Sequence, residues 1–291
     1  QLQKFFMRRT MRRISPYFYL IPALIVFILF VFWPFAKTIM LSLSLTTPAG
    51  EVAQFVGIQN YLTIFSDSQF WQTLLISFEY SAMCVVFSIC IGFVLAIASN
   101  EKLKGRGIFR TIYALPMAIS AAAASAIWMF IFHPSLGILN RLLDTNIGWL
   151  TDTKWALIAV TLVSIWMNVG MNFIYLTAAL QSVPTELYES VELDGANFVQ
   201  KHRHITIPCI SPTLFFLLII NVINSLQAYA QFKMLTQGGP AGSTNVIVYE
   251  IYQEAFINSR FGIACAESVV LFVILMILTA LQFRIEKKVT Y

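Results

Sequence analysis

The stretch "ELYESVELDGANFVQKHRHITIP", residues Glu186–Pro208, interrupts a chain of 291 residues that is 58% hydrophobic and only 11% charged. It holds four acids, two cations and two of the three histidines, and it contains no long apolar run. Ordinary soluble domains carry about a quarter charged residues, so the composition around this stretch indicates a membrane protein. A polar segment of this length inside such a chain suggests a specific role.

The apolar runs on either side predict six transmembrane helices, because a helix needs roughly 20 mostly apolar residues to cross a bilayer. The fold class predicted is therefore an all-α polytopic membrane protein, in which residues 181–210 form a loop between two spans. The predicted spans are approximately 17–44, 73–99, 111–132, 155–180, 211–235 and 262–283.

The distribution of Lys and Arg predicts the orientation of the chain. With six spans both termini share one side, and that side receives 14 of the 19 cations, whereas the opposite loops hold three. The positive-inside bias then places both termini and the loop 181–210 in the cytoplasm. Cations that flank membrane segments meet anionic lipid, so the net charge of +5 predicts membrane lipid as a partner and requires no nucleic acid.

Other functional classes find little support in the sequence. The four cysteines form no metal-ligand spacing, so no metal site is predicted. The three histidines fall in loops or at span ends and no H-E-x-x-H or G-x-S-x-G motif occurs, which argues against an intramembrane enzyme and leaves no catalytic residue to name. An ion-gradient-driven secondary transporter remains an alternative, although such folds often carry inverted repeats and none is visible here.

Within the opening stretch, proline and glycine predict a helix, a turn and a second short helix. Pro184 suits the start of a helix, and Glu186 lies near its positive N-terminal end. Gly195 allows the turn, and residues 197–204 form a second helix that Pro208 should end. A solvated connecting loop is the alternative, but a segment of about 30 residues with breakers at both ends favours an interaction element.

Polar side chains inside the spans are candidates for a translocation path, because such groups are costly within a membrane. Amides both donate and accept hydrogen bonds and indoles stack on sugar faces, which suits a polyhydroxylated ligand; a lysine would instead favour an anionic one. Interhelical hydrogen bonding is the alternative role for each residue. The candidates are Trp128, Trp166, Asn168, Asn172, Tyr175, Asn221, Asn224, Gln227, Gln231 and Lys233.

The opening stretch resembles the cytoplasmic EAA loop of bacterial ABC importer permeases, whose pattern is E-A-A, three residues, G, nine residues, I, one residue and L-P. In this chain the pattern is filled by Glu189-Ser190-Val191, Gly195, Ile205 and Ile207-Pro208. The spacing fits throughout, although Ser190 and Val191 replace two alanines and Ile207 replaces leucine. These larger residues affect how tightly the first short helix docks.

Further motifs resemble the carbohydrate branch of these permeases, the group that includes maltose and glycerol-3-phosphate uptake subunits. They are "YLIPAL" and "WP" in the first span, "FVGIQNY" after it, Leu115-Pro116, and "GGP" from Gly238. The resemblance covers nearly the whole chain, with the motifs in the family's order. The C-terminal "ESVVLFVILMILTALQFRIEKKV" is most similar to the first permease of the glycerol-3-phosphate group.

The resemblance implies a type I ABC importer permease fold, a single transmembrane permease domain over residues 1–291 and a place in the bacterial inner membrane. It implies that the first span wraps a neighbour and that the partners are a second homologous permease, two ATPase subunits and an extracytoplasmic solute-binding protein. The cargo would be a sugar, an oligosaccharide or a polyol phosphate.

The resemblance also assigns the energy source to another subunit. The sequence has no phosphate-binding loop of the form G-x-x-x-x-G-K-[ST], so this chain is not expected to be an enzyme or to bind a cofactor, and ATP with Mg would be used by the partner ATPase. The loop would insert into a cleft of that subunit. The residues that the resemblance assigns to this contact are Glu186, Glu189, Asp194, Gly195, Ala196, His202, Ile205 and Pro208.

Overall fold

The computed structural model describes residues 19–100, 106–193 and 195–289, and their secondary structure is almost entirely helical. Five helices are long and apolar enough to cross a membrane. These are α1 (Tyr19–Ser42), α3 (Ser68–Asn100), α7 (Ala156–Gln181), α10 (Ile207–Leu226, whose helical path starts at Phe198) and α13 (Phe261–Val289).

Shorter elements connect the long helices. A two-stranded antiparallel sheet, β1 (Ser44–Thr46) and β2 (Val52–Phe55), follows α1 and was not predicted from the sequence. The short helices are α2 (Gln59–Ser66), α4 (Arg106–Ala114), α5 (Ala121–Ile131), α6 (Ile138–Leu143), α8 (Thr185–Leu193), α9 (Phe198–Lys201), α11 (Ala230–Leu235) and α12 (Ile247–Tyr252).

The chain divides into two compact units, one of residues 19–66 and 253–270 and one of residues 67–252 and 271–289. In the first, α1 contains a π-helical stretch, Ile28–Phe32, just before Pro34. The amide of Asn60 ties the end of α1 to β1 by donating to the carbonyls of Ser42 and Ser44. Apolar side chains of α1 lie exposed along most of its length.

In the second unit, α3 and α7 run parallel and in close contact. A Cβ on Gly92 would lie 2.8 Å from the Cβ of Asn172, so only glycine permits this approach. Helix α10 runs antiparallel to both, with the Ser225 hydroxyl 2.6 Å from that of Ser81. Because α3 and α7 share a direction, their C-terminal ends lie at the same end of the unit, where residues 182–206 follow.

Two apolar clusters fill this unit, one at each end. The cluster nearer the start of α7 includes Tyr80, Phe132, Trp149, Val160 and Phe232. The cluster nearer the end of α7 is built from residues of α3, α7 and α10 and the segments beside them. Its buried members are Ala96, Phe173, Leu176, Ala179, Leu180, Val183, Ile205, Ile210 and Leu217.

The third predicted span, 111–132, is not one straight helix. Residues Gly107–Ala118 and Ala121–Ile131 meet at an angle of 104°. Pro116 places the chain in a short 3₁₀ turn, Ile119 is extended, and the Ser120 hydroxyl caps α5 by accepting from the amide of Ala123. Since α5 is about 16 Å long, it does not cross the apolar core of a bilayer by itself.

The fifth predicted span, 211–235, is shifted in the structure. The helix ends at Leu226, and α11 is a separate helix after a break at residues 227–229. This break brings Tyr229 against Tyr249 and Tyr252, with ring centroids 6.3 and 5.2 Å away. Packing of the three rings thus replaces continuation of the helix.

Pro208 does not end the second short helix, contrary to the prediction. It lies in the first turn of α10, immediately after the π-helical stretch His202–Thr206, which joins α9 to α10 without a gap. The second half of the loop 181–210 and the fifth predicted span therefore share one helical path from Phe198 to Leu226.

Candidate functional site

The segment Thr185–Lys201 forms a compact hairpin of two helices, α8 and α9, joined by a tight turn. Gly195 has φ of +76°, in the left-handed region where a side chain is strained. Its amide and that of Ala196 close the end of α8 by donating to Glu192 and Val191. Asn197 starts α9 with a capping box, its side chain accepting from the Gln200 amide at 2.9 Å.

Side-chain contacts brace the hairpin internally. The Lys201 ammonium lies 2.8 Å from a carboxylate oxygen of Glu192, which joins α9 to α8. The buried Thr206 hydroxyl lies 3.1 Å from the hydroxyl of Tyr188 and 2.8 Å from Nδ1 of His202. One hydroxyl thus connects α8 to the π-helical stretch that leads into α10.

The hairpin is also packed firmly on the helices that carry it. Tyr188 and Val191 lie against the apolar cluster that contains Ile205 and Ile210 at the ends of α3, α7 and α10. Its outward surface combines apolar and acidic side chains: Leu193 is 90% exposed, and Phe198 and Val199 are exposed beside it. The hairpin is thus held rigidly by the helices that carry it and exposes apolar side chains on its outer surface. Both are features of a docking element.

The structure locates all but one of the hairpin residues named from the sequence. Glu186, Glu189 and Pro208 are exposed, Ala196 and His202 are half-buried, and Ile205 is buried in the supporting cluster. Asp194 lies outside the described residues. Ile205 and His202 therefore hold the hairpin in place, whereas the glutamates are available on its surface.

Two of the predicted translocation-path residues bind each other. The Asn172 amide donates to Oδ1 of Asn221 at 3.2 Å, and the Asn221 amide donates to Oδ1 of Asn172 at 2.8 Å. Both side chains are buried, so this reciprocal pair links α7 to α10. For these two residues the structure shows the interhelical role that the sequence left open as an alternative.

The remaining amides do not form a single stripe. Asn168 donates to the carbonyl of Ser164 in its own helix, whereas Asn224 is exposed on α10 and Gln227 is exposed in the break that follows it. Tyr175 is partly exposed and packs against Phe216, with ring centroids 5.4 Å apart. These residues remain candidates for ligand contact.

Indole rings from two helices meet at the level of the cluster nearer the start of α7. Trp128 of α5 and Trp166 of α7 lie edge to face, with ring centroids 5.9 Å apart. The indole N–H of Trp128 is buried and has no hydrogen-bond partner within the described part of the chain. A buried donor in this position suits an acceptor supplied by a ligand.

Lys233 of α11 is surrounded by aromatic rings. Its ammonium donates to the Tyr252 hydroxyl at 2.9 Å and lies 4.1 Å from the centroid of that ring and 5.5 Å from that of Tyr229. Hydrogen bonds with Tyr229 and Tyr252 raise the pKa of Lys233 above its ordinary value, so the side chain is cationic at neutral pH.

The tyrosines of this group, Tyr229, Tyr249 and Tyr252, were not named as path residues from the sequence. Tyr249 and Tyr252 are three residues apart on α12, which places both on one helix face and was the available signal. Tyr229 carried no such signal, because it lies in the break before α11. Together with Lys233, these residues form what we term the tyrosine–lysine cluster.

Comparison with known proteins identifies a family and relatives that this chain resembles along most of its length. Residues 88–291 match the family model described as binding-protein-dependent transport system inner membrane component. The chain is 33% identical to the sn-glycerol-3-phosphate transport system permease protein UgpA of Agrobacterium fabrum, over 96% of this chain and 97% of the relative. The corresponding protein of Yersinia enterocolitica is 31% identical over 95% of each chain.

Solved structures share the fold. A chain of a bacterial ABC transporter involved in the import of the acidic polysaccharide alginate matches with a TM-score of 0.86 and 24% identity, covering 98% of this chain and 99% of that one. A chain of the MetNI methionine ABC transporter matches with a TM-score of 0.55 and 19% identity, over 80% of this chain and 99% of that one. The all-α polytopic importer fold expected from the sequence is thereby confirmed.

Proposed function

We propose that this chain is one of two permease subunits of an ATP-driven ABC importer, because it belongs to the family of binding-protein-dependent transport system inner membrane components. Its partners would be a second homologous permease, two ATPase subunits that use ATP and Mg, and an extracytoplasmic solute-binding protein. The related alginate transporter has been solved in complex with a periplasmic protein bound to an alginate pentasaccharide, which supports the last of these.

The hairpin α8–α9 is the observation that carries this proposal. It is short, internally braced by Lys201 and Thr206, and seated on the cluster where α3 and α7 end and α10 begins. A partner that moves such an element moves three membrane helices with it, because packed helices shift between discrete arrangements and do not deform continuously. We assign its exposed surface around Leu193 and Phe198 to the ATPase subunit.

The orientation follows from the same assignment. If the hairpin meets an ATPase, it lies in the cytoplasm, and α3, α7 and α13 each run from the outer face inward. Both termini would then be cytoplasmic, as the positive-inside bias predicts. The exposed apolar helix α1 would lie against the second permease or lipid.

For the cargo, we propose an anionic sugar or polyol that contacts the tyrosine–lysine cluster and Trp128. Lys233 has three donors, of which Tyr229 and Tyr252 engage two, so the third can still bind a phosphate or carboxylate. The tyrosine and indole rings offer amphipathic faces to a carbohydrate. The relatives named for sn-glycerol 3-phosphate and for alginate both handle anionic compounds, which is consistent with this choice.

Site-specific crosslinking tests the assignment of the hairpin. A photo-crosslinking phenylalanine analogue replaces Leu193 in one variant and Leu142, which is 77% exposed on α6 near the other end of α7, in a second. We expect the ATPase subunit to be captured in native membranes at position 193 only. Capture of no ATPase at position 193, together with uptake that survives deletion of the ATPase gene, would favour an ion-gradient-driven transporter.

Replacing Lys233 with methionine tests the proposed charge of the cargo. The change keeps the length of the side chain and removes the cation, so uptake of labelled sn-glycerol 3-phosphate by the assembled transporter should fall about tenfold or more, the loss expected for a charge-assisted hydrogen bond. Lys154→Met, which removes an exposed lysine before α7, is the matched control and should transport normally. Unchanged uptake in Lys233→Met would contradict a role for the cluster.

A further inference from the structure

Helix α4 has two chemically different faces. Ile108 and Ile112 are 68% and 54% exposed on one face. On the other, Arg110 and Thr111 line a pocket of about 410 Å³, together with Ala114 and Leu115. A short helix with an exposed apolar face and a basic face is typical of segments that lie at the membrane surface.

The guanidinium of Arg110 is poorly satisfied by protein atoms. Its Nε is buried and has no hydrogen-bond partner among the residues that the structure describes. One Nη reaches the carbonyl of Ser99 at 3.5 Å, which is at the limit for a hydrogen bond. A guanidinium carries five N–H donors, and leaving buried cationic donors without acceptors is costly. Some of these donors are therefore available to an anionic acceptor in the pocket.

The position of the pocket limits what that acceptor can be. Ser99 is the penultimate residue of α3, whose C-terminal end lies at the same end of the unit as the hairpin α8–α9. On the orientation given under the proposed function, this end faces the cytoplasmic leaflet, where anionic phospholipids are concentrated. The exposed Leu115 borders the pocket and continues the apolar surface of Ile108 and Ile112.

We infer that this pocket is a binding site for the headgroup phosphate of an anionic phospholipid, held by the guanidinium of Arg110. A planar guanidinium binds phosphate oxygens through two parallel hydrogen bonds, a geometry that lysine does not offer. The acyl chains lie along Leu115 and the apolar face of α4. A lipid therefore supplies both the anion that Arg110 lacks and a cover for the apolar side chains beside it.

Native mass spectrometry of the assembled transporter tests this site. The permease is purified with its partner subunits and placed in phosphatidylcholine nanodiscs that contain increasing fractions of phosphatidylglycerol. We expect the wild type to retain one more phosphatidylglycerol per permease than Arg110→Gln, or to reach the same occupancy at about a tenfold lower fraction. Arg284→Gln, which removes an exposed cation of α13, is the matched control and should behave as the wild type.

Two further measurements make the result decisive. Arg110→Lys keeps the positive charge but loses the two parallel N–H donors of the guanidinium. Its retention of phosphatidylglycerol should therefore fall between those of the wild type and Arg110→Gln. If Arg110→Gln does not assemble, two other comparisons test the site. These are the retention of phosphatidylglycerol by Arg110→Lys against the wild type, and the preference of the wild type for phosphatidylglycerol over phosphatidylcholine. Equal retention in wild type and variants overturns the site, as would occur if a protein carboxylate filled it. Displacement by millimolar inorganic phosphate overturns the lipid as its ligand.

The same samples separate this inference from the proposed function on which its orientation rests. Co-purification of the ATPase reports on the importer assignment, whereas the difference between wild type and Arg110→Gln reports on the pocket. Equal retention of phosphatidylglycerol by the wild type and Arg110→Gln, with the ATPase still co-purifying, would refute the pocket alone.

Discussion

The Gly195→Trp permease should lose its ATPase while keeping its partner permease. Gly195 has φ of +76°, and a residue with a Cβ at that backbone conformation is strained by about 1–2 kcal/mol, which favours a reshaped turn. Apart from the adjoining residues, no atom in the described part of the chain lies within 4 Å of a Cβ placed there, so the indole would project from the hairpin into the proposed docking surface. We expect the amount of ATPase recovered with the tagged permease to fall at least about tenfold, which corresponds to about 1.4 kcal/mol of binding free energy.

The chain provides a closely matched control for this experiment. Gly242 also has φ of +76°, and a Cβ at this position would likewise have no atom within 4 Å, but Gly242 lies in the loop between α11 and α12. Gly242→Trp therefore introduces the same strain and bulk away from the hairpin and should retain the ATPase. Equal recovery of ATPase with both variants would refute the assignment of the hairpin as the coupling element.

The pair Asn172 and Asn221 should show strong thermodynamic coupling. Alanine at either position leaves the other buried side chain without one of its hydrogen-bond partners, and we expect each single substitution to lower the free energy of unfolding by about 1–3 kcal/mol. The double variant removes both groups together. Its cost should be smaller than the sum of the two single costs by about 1 kcal/mol, the scale of interhelical hydrogen bonds in membranes.

Thermal unfolding of the detergent-solubilised, assembled transporter measures these differences for the wild type, the two single variants and the double variant. Asn224→Ala is the control, because Asn224 is exposed on the same helix and its loss should change the unfolding temperature little. Strictly additive costs would mean that the reciprocal pair does not hold α7 to α10. In that case direct contact with cargo would again be the better explanation for both residues.

Much of the architecture could be read from local patterns in the sequence. Hydrophobic runs of sufficient length predicted α3, α7 and α13 within a few residues, because the cost of placing backbone and charge in lipid restricts spans to long apolar helices. Gly195 predicted the turn of the hairpin, since few other residues tolerate positive φ. Family membership, which the comparisons confirm, was indicated by the resemblance of the residues around this turn to the EAA loop of ABC importer permeases.

The differences between the predicted and the observed helices have identifiable physical causes. The span 111–132 contains enough apolar residues to cross a membrane, but the hydrophobicity of a segment does not show whether its helix is straight. Here Pro116 and the helix cap at Ser120 turn the chain by 104°. The span 211–235 was extended too far because packing of Tyr229 on α12 competes with helix continuation. Pro208 was treated as a terminator, although the π-helical stretch before it, His202–Thr206, carries the helix past the proline.

The sequence by itself determined that this chain is a helical membrane protein of an importer family with a polar hairpin, since composition, apolar length and motif spacing are local properties. Only the tertiary structure decided which polar groups meet. Asn172 pairs with Asn221 across 49 positions, and Lys233 reaches Tyr252 across 19. Such partners depend on helix register and packing, because a buried polar group is stabilised by whichever group the fold brings within about 3 Å of it.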